Sequence, residues 1–248
     1  MLRGIPFDSP LYEVDEDRGI EYVNCEAITA FFTIKGDVSE ILPEGLKPYS
    51  DPPQGGVWIS HYSFSTLGEY FEFISTVQVE DEDGEMGYYI PYIYVTNDAA
   101  MAAGRELAGA PKKLARIQLS KDCDTIQGTL ERPEGRRLVT FTMKPSARAT
   151  GELIDLVLPR PTYLYSVRHL PPIRGKGGVT QLVRWYAEID FHNDANGERV
   201  IFTGPGSVSY DMPSAVDPVH RVGIDEIMLS IYFRFDMKLG FDDIVREY

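Results

Sequence analysis

The chain has 248 residues, 43% of them hydrophobic and 12% aromatic, which is enough to bury a core and excludes a disordered chain. Its net charge of −14 argues against nucleic acid and against anionic membrane surfaces as partners, since both demand clustered Lys and Arg. Two cysteines, Cys25 and Cys123, are no disulfide framework, and no apolar run approaches the ~18 residues of a membrane helix.

In chain order, residues 1–18 are acidic and Pro-containing and read as an irregular arm. Ala27–Lys35 is a strand by its β-branched and aromatic content. Asp37, with Glu40 three residues on, predicts a capping box and a short helix over Val38–Leu42 that stops before Pro43. Gly56–Phe64 and Glu69–Glu80 read as paired strands. In the second, alternation places Tyr70, Glu72 and Ile74 on one face. Glu80–Gly87 is an acidic loop. Tyr88–Thr96 is a strand interrupted by Pro91, which predicts an edge or a bulge. Asp98 is expected to cap an Ala-rich helix over Ala99–Ala108, with Gly109 at its stop. Arg105 and Glu106 read as structural ion-pair partners.

Ala115–Ser120, Thr125–Glu131, Arg137–Lys144, Thr162–His169, Gln181–Asn193, Glu198–Phe202 and Ile224–Met237 read as further strands. Gly151–Leu158 and Phe241–Glu247 read as helices. With no repeat and no boundary in composition, residues 1–248 are expected to form one domain in a cytoplasmic, reduced protein.

The four histidines have no metal-ligand spacing, and neither glycine-rich run completes a phosphate loop or a dinucleotide fingerprint. The remaining chemical signal is Pro111-Lys112-Lys113, set in a Gly/Ala/Pro-rich segment. A solvated lysine has pKa ~10.4, so only about one in 2,500 is a neutral nucleophile at pH 7. Removal from water, or a neighbouring cation, raises that fraction. The dipeptide by itself reads either as two solvated surface lysines or as an activated amine.

The context of the dipeptide resembles the acetoacetate decarboxylase family, whose members follow a strand with an Asn-rich turn, an Ala-rich helix carrying Gly-Arg-Glu, and then Pro-Lys-Lys-Leu. Here those are Asn97-Asp98, Ala99–Ala103, Gly104-Arg105-Glu106 and Pro111–Leu114. Leu42–Leu46, Leu67–Glu72 and Arg160–Val167 match further family segments in order. The resemblance implies a mainly β (α+β) fold, an antiparallel β-barrel or cone with a few short helices, in a homo-oligomer. It implies a Schiff base between Lys112 and a keto acid, with acetoacetate or a related β-keto acid losing carbon dioxide and no cofactor or metal required. Glu72 would orient substrate or handle protons. Pyruvate-type aldolase-dehydratases of the same superfamily offer one alternative chemistry, and a non-catalytic small-molecule binding barrel offers an alternative of another class.

Acetoacetate decarboxylase is itself the standard example of a lysine activated by desolvation or a neighbouring cation, and the family credits the residue matching Lys113 with that role. If Lys112 begins a strand, however, successive side chains leave opposite faces, and burial must supply the activation instead. Two departures bear on the substrate. Asn24-Cys25-Glu26 stands where decarboxylases of the family carry Asn-Arg-Glu, so Cys25 replaces a guanidinium. Ala110 stands where a bulky residue is common. Cys25, Tyr70 and Ala110 are thus expected to shape a roomier, less cationic substrate site.

Overall fold

The computed structural model describes residues 1–248. In chain order its principal strands are β1 (Ile20–Ile34), β2 (Gln54–Tyr62), β3 (Tyr70–Glu80), β4 (Met86–Val95), β5 (Lys112–Leu114), β6 (Arg116–Asp122), β7 (Thr125–Glu131), β8 (Arg137–Met143), β9 (Thr162–Leu170), β10 (Val179–Phe191), β11 (Gly206–Tyr210) and β12 (Ile224–Glu247). Helix α1 (Asp98–Ala103) runs on into a π-helical turn, Gly104–Ala108, and α2 is Gly151–Val157. No helix is long and apolar enough to cross a membrane.

Seven strands close into a ring in the order β1-β2-β3-β4-β9-β10-β12 and back to β1. All neighbours are antiparallel except β4 and β9. Outside the ring, β6, β7, β8 and β11 form a second antiparallel sheet. The fold is thus mainly β and antiparallel with a few short helices, as the family resemblance implies.

This arrangement gives the ring strands two buried faces. Residues of β1 alternate between the ring interior (Ala27, Phe31) and a second core (Ile28, Ala30, Phe32) shared with Ile126, Leu130, Val139 and Phe141 of the outer sheet. A strand buried on both sides reads as a near-continuous apolar run, and Ala27–Ile34 is one but for Thr29 and Thr33.

Pro91 sits at the predicted irregularity: Ser75 faces Tyr92 while Val77 faces Tyr89, leaving Ile90 and Pro91 opposite Thr76. The bulge is also where β4 changes partners. Its first half pairs with β9 and its last three residues pair in parallel with β5, which places Lys112 beside Ile93.

Three local expectations are corrected. Residues 38–42 form turns rather than a helix. Asp37 caps Ser39 as a local turn, and Glu40 pairs with Arg221 instead of closing a capping box. The cap of α1 is Asn97, whose side chain accepts from Ala100 N at 2.7 Å while Asp98 is already helical. Phe241–Glu247 is no helix but the end of the 24-residue β12, held by β10 through Trp185–Phe241, Val183–Ile244 and Gln181–Glu247. Two bulges in that ladder break the alternation that marks a strand in sequence. Strand β11 is an addition, a short edge partner of β8.

Candidate active site

The ring interior holds a cavity of about 740 Å³ of atom-free space, its mouth included, lined by 20 residues of which 14 are hydrophobic. All seven ring strands contribute side chains to it. Lys112 is the one cationic side chain in the lining and Glu72 the one acidic. They are 6% and 4% exposed, and Lys112 Nζ stands 2.7 Å from Glu72 Oε2. The contact is ionic in distance but off the direction of a hydrogen bond, since Oε2 has no well-directed donor.

Local structure explains how Lys112 reaches this point. α1 leaves Asn97, which also donates Nδ2 to Leu67 O and so ties the helix start to the loop before Glu72. The π turn ends on Gly109 at φ +70°, a left-handed position where a Cβ would meet Arg168 N at 2.4 Å. Ser166 Oγ donates to Ala108 O at 2.5 Å and accepts from Trp185 Nε1 at 2.9 Å, pinning the turn to β9 and β10. Gly104 packs against the lysine itself: a Cβ there would fall 2.5 Å from Lys112 Cδ and 2.6 Å from Cε. The glycine of the Gly-Arg-Glu signature is thus the channel wall through which the lysine chain passes.

Its two neighbours in that signature do not pair with each other. Arg105 donates to the carbonyl of Lys112 at 3.3 Å, and Glu106 accepts from Tyr12 of the N-terminal arm at 2.7 Å.

Three tyrosines stand behind the pair. Tyr62 Oη donates to Glu72 Oε1 at 3.0 Å, and the hydroxyls of Tyr22 and Tyr70 are 3.0 Å apart. Lys112 Nζ lies 5.7 Å from the centre of the Tyr70 ring. Burial, reinforced by Glu72, holds all three phenols well above the usual tyrosine range. In Tyr70 the Tyr22 phenol adds more than Glu72 does.

A raised phenol pKa favours the folded state while the phenol is protonated. That stability is complete below the unfolded pKa of ~10 and is lost as pH rises above it, where the unfolded chain binds fewer protons. These three groups contribute up to about 4 kcal/mol per pH unit to the slope above pH ~10, at ~1.4 each, and other buried tyrosines such as Tyr88 and Tyr94 add to it. Denaturant melts between pH 9 and 12 measure it. The slope should flatten in Tyr22→Phe, and an unchanged slope would remove Tyr22 from the set.

The other expected site residues fall as follows. Ala110 is buried and lines a smaller hollow of about 280 Å³, which Lys112 and Gly104 also line. Tyr70 forms part of the tyrosine cluster rather than the cavity wall. Cys25 is fully buried, lines neither space, and its thiol is pushed up to about 12 by burial, partly offset by backbone donors. No guanidinium faces the cavity.

Lys113 leaves the opposite face of β5. Its Nζ contacts Val216 O at 2.6 Å and Asp217 Oδ1 at 2.9 Å, in a cluster that Arg132 and Tyr94 complete. Sequence reasoning does not single out Tyr62 or Tyr22, and it names Gly104 only as part of the Gly-Arg-Glu signature. Period-two alternation from Glu72's strand partner would have pointed to Tyr62 alone.

Compared with solved structures, the fold is similar over 100% of this chain to acetoacetate decarboxylase from Legionella pneumophila (TM-score 0.84, 24% identity, 97% of that chain). It is also similar to the enduracididine biosynthesis enzyme MppR complexed with a condensation product of pyruvate and imidazole 4-carboxaldehyde (TM-score 0.79, 18% identity, 99% and 96% of the two chains). The ring and its enclosed cavity therefore define an acetoacetate decarboxylase-like fold.

The chain belongs to the acetoacetate decarboxylase family, whose model matches residues 8–248. The acetoacetate decarboxylase of Burkholderia multivorans is 29% identical over 256 residues, spanning 98% of this chain and 94% of the relative.

Proposed function

We propose that this protein is a lyase that binds a keto acid as a Schiff base on Lys112 and releases carbon dioxide from it. The observation that carries the reading is the buried Lys112–Glu72 pair at 2.7 Å, alone in a cavity that is otherwise largely apolar. As a free amine, Nζ adds to the ketone carbon and expels water, giving an iminium. The cationic nitrogen then takes up the electron pair released when the bond to the β-carboxylate breaks. Carbon dioxide leaves, and an enamine remains. Protonation at carbon and hydrolysis return Lys112 and the product ketone. Glu72 is within reach of Nζ to accept or return its proton, and Tyr62 fixes the carboxyl through the other oxygen.

An apolar wall without a guanidinium holds a carboxylate poorly and tolerates the neutral carbon dioxide. This favours β-keto acids longer than acetoacetate, whose apolar ends fill the cavity.

A second reading, aldol condensation and dehydration of a 2-keto acid, uses the same amine. What supports it is the fold shared with MppR, solved with the condensation product of pyruvate and imidazole 4-carboxaldehyde.

Incubation with a β-keto acid and borohydride should give one reduced adduct, carried by the peptide containing Lys112. Released carbon dioxide identifies decarboxylation, and a condensed product identifies aldol chemistry. An adduct on Lys113 alone would overturn the assignment. Lys113→Met should keep the adduct and the pH profile while costing only about 0.5–1 kcal/mol of stability, because its partner Asp217 retains Arg132. A move of two pH units or more, worth about 2.7 kcal/mol, would restore charge repulsion as the activating force.

A further inference from the structure

We propose that Gly56 sets the length of substrate that the cavity accepts. Its missing side chain leaves a slot at the end of the cavity away from Lys112, and the slot takes the unbranched hydrocarbon tail of a medium-chain β-keto acid. The proposal rests on the reading of Lys112 as the covalent residue, since that fixes which end of the substrate reacts.

The ring strands order the cavity wall into rows. Ala27, Ser60 and Glu72 are in register across β1, β2 and β3, Thr29, Trp58 and Ile74 form the next row, and Phe31, Gly56 and Thr76 the one after. Glu72, and with it Lys112 Nζ, belongs to the first row. All three residues of the third row line the cavity. There Gly56 stands between two larger side chains, on the same face of β2 as Trp58. Trp58, Ile74 and Thr76 point into the ring and line the cavity, yet each keeps part of its surface accessible, so open space runs along the wall toward the third row.

Gly55 and Gly56 are glycines for different reasons. At Gly55 a Cβ would stand 2.3 Å from Thr76 O, so the pairing of β2 with β3 itself excludes a side chain. At Gly56 the backbone is not left-handed. The nearest atoms to a Cβ there, Ala30 O and Thr76 Oγ1, would be 3.2 Å away, a contact relieved by a shift of a few tenths of an ångström. Glycine weakens a strand, and inside one it often marks a close approach by a ligand. Neither backbone conformation nor a hard clash demands it at position 56, and what its absent side chain leaves open is the cavity.

Beyond the third row the space is closed. Tyr88, level with Gln78 of β3, donates its hydroxyl to Val157 O at 2.7 Å, and the next residue, Leu158, lines the cavity beside it. Phe31, Tyr88 and Leu158 are all buried. Strands rise ~3.3 Å per residue, so the third row lies roughly 13 Å from Glu72. An extended hydrocarbon chain advances ~1.3 Å per bond and reaches the slot about seven to ten carbons beyond the ketone. Lys112 and Glu72 carry the only charges in the lining, and Phe31 and Leu158 make the far end apolar, so the tail is hydrocarbon.

The test is a series of straight-chain 3-oxo acids. Wild-type kcat/KM should rise by up to about fourfold per methylene, the scale of one buried CH2, and favour 3-oxodecanoate over 3-oxohexanoate by at least about tenfold. Gly56→Val should cut that ratio by about tenfold or more, and Leu158→Ala should move the optimum to longer acids. A wild-type ratio near one, or a Gly56→Val enzyme that slows on both acids by the same factor, overturns the slot. If Gly56→Val does not fold, Thr76→Leu fills the same slot from β3 and is held to the same ratio. Calorimetry of the corresponding ketones, 2-nonanone and 2-pentanone, with Lys112→Met combined with Glu72→Gln reads the preference without turnover. Failure of the covalent reading shows as no borohydride adduct with any keto acid, whereas failure of the slot shows as a ketone preference that is absent or that Gly56→Val leaves unchanged.

Discussion

Replacing Lys112 with alanine should lower kcat/KM for the β-keto acid by at least about 10³-fold, the scale lost when a covalent nucleophile is removed, and should abolish the borohydride adduct. The same change should lower the melting temperature. Glu72 is 4% exposed, and removing one partner of a buried ion pair costs about 3–5 kcal/mol. The two effects separate in a double variant. Lys112→Met with Glu72→Gln replaces both charges and leaves Tyr62 a carbonyl to donate to, so stability should recover while activity does not. Activity within tenfold of wild type in Lys112→Ala would end the Schiff-base reading, and a Lys112→Ala protein as stable as wild type would show that Glu72 finds another partner.

How far this site can be read from sequence differs residue by residue. Lys112 and Glu72 are singled out by the family resemblance of their segments and not by local pattern, which reads the one as a surface lysine and the other as a solvated strand glutamate, while the strand alternation correctly sends Lys112 and Lys113 to opposite faces. Asp217, the residue that occupies Lys113, lies 104 residues away and gives no local signal. The tyrosine cluster is invisible for the same reason. Tyr22, Tyr62 and Tyr70 stand on three strands, β1, β2 and β3, brought together by the β1–β2 and β2–β3 ladders, in the second of which Tyr62 pairs with Tyr70.

The fold shows a similar division. Strand content follows from Val, Ile, Tyr and Phe, as in Ala27–Lys35. Closure of the ring depends on β12 pairing with β1 across about 200 residues of chain, and nothing local announces it. Because the tail of β12 carries Gly240, charged Asp242 and Asp243, and two bulges in its ladder, it lacks clean alternation and resembles a terminal helix. Its strand form is a tertiary effect, imposed by β10. The failures near α1 are local instead: Asn97 and Asp98 are both good caps, and Asn97 wins because its amide also reaches Leu67 O.

Gly104→Ala should cost activity although the residue carries no functional group. The methyl group would be built 2.5 Å from Lys112 Cδ and 2.6 Å from Cε, closer than any real contact. Something has to move, and the π turn has little freedom: Gly109 is pressed against Arg168 at one end, and Ser166 holds Ala108 O. The lysine chain is the softer partner, so its amine shifts away from Glu72. A displacement of about 1 Å in a positioned reacting group costs on the order of 10²-fold in rate. We therefore expect kcat to fall by about that factor in Gly104→Ala, with slower adduct formation and an intact fold by circular dichroism. Alanine is the better helix former by about 1 kcal/mol, so helix propensity by itself would make the variant more stable. A loss of activity despite that gain places the fault in the lysine's path, whereas unchanged trapping kinetics would mean that Gly104 has no part in aiming Lys112.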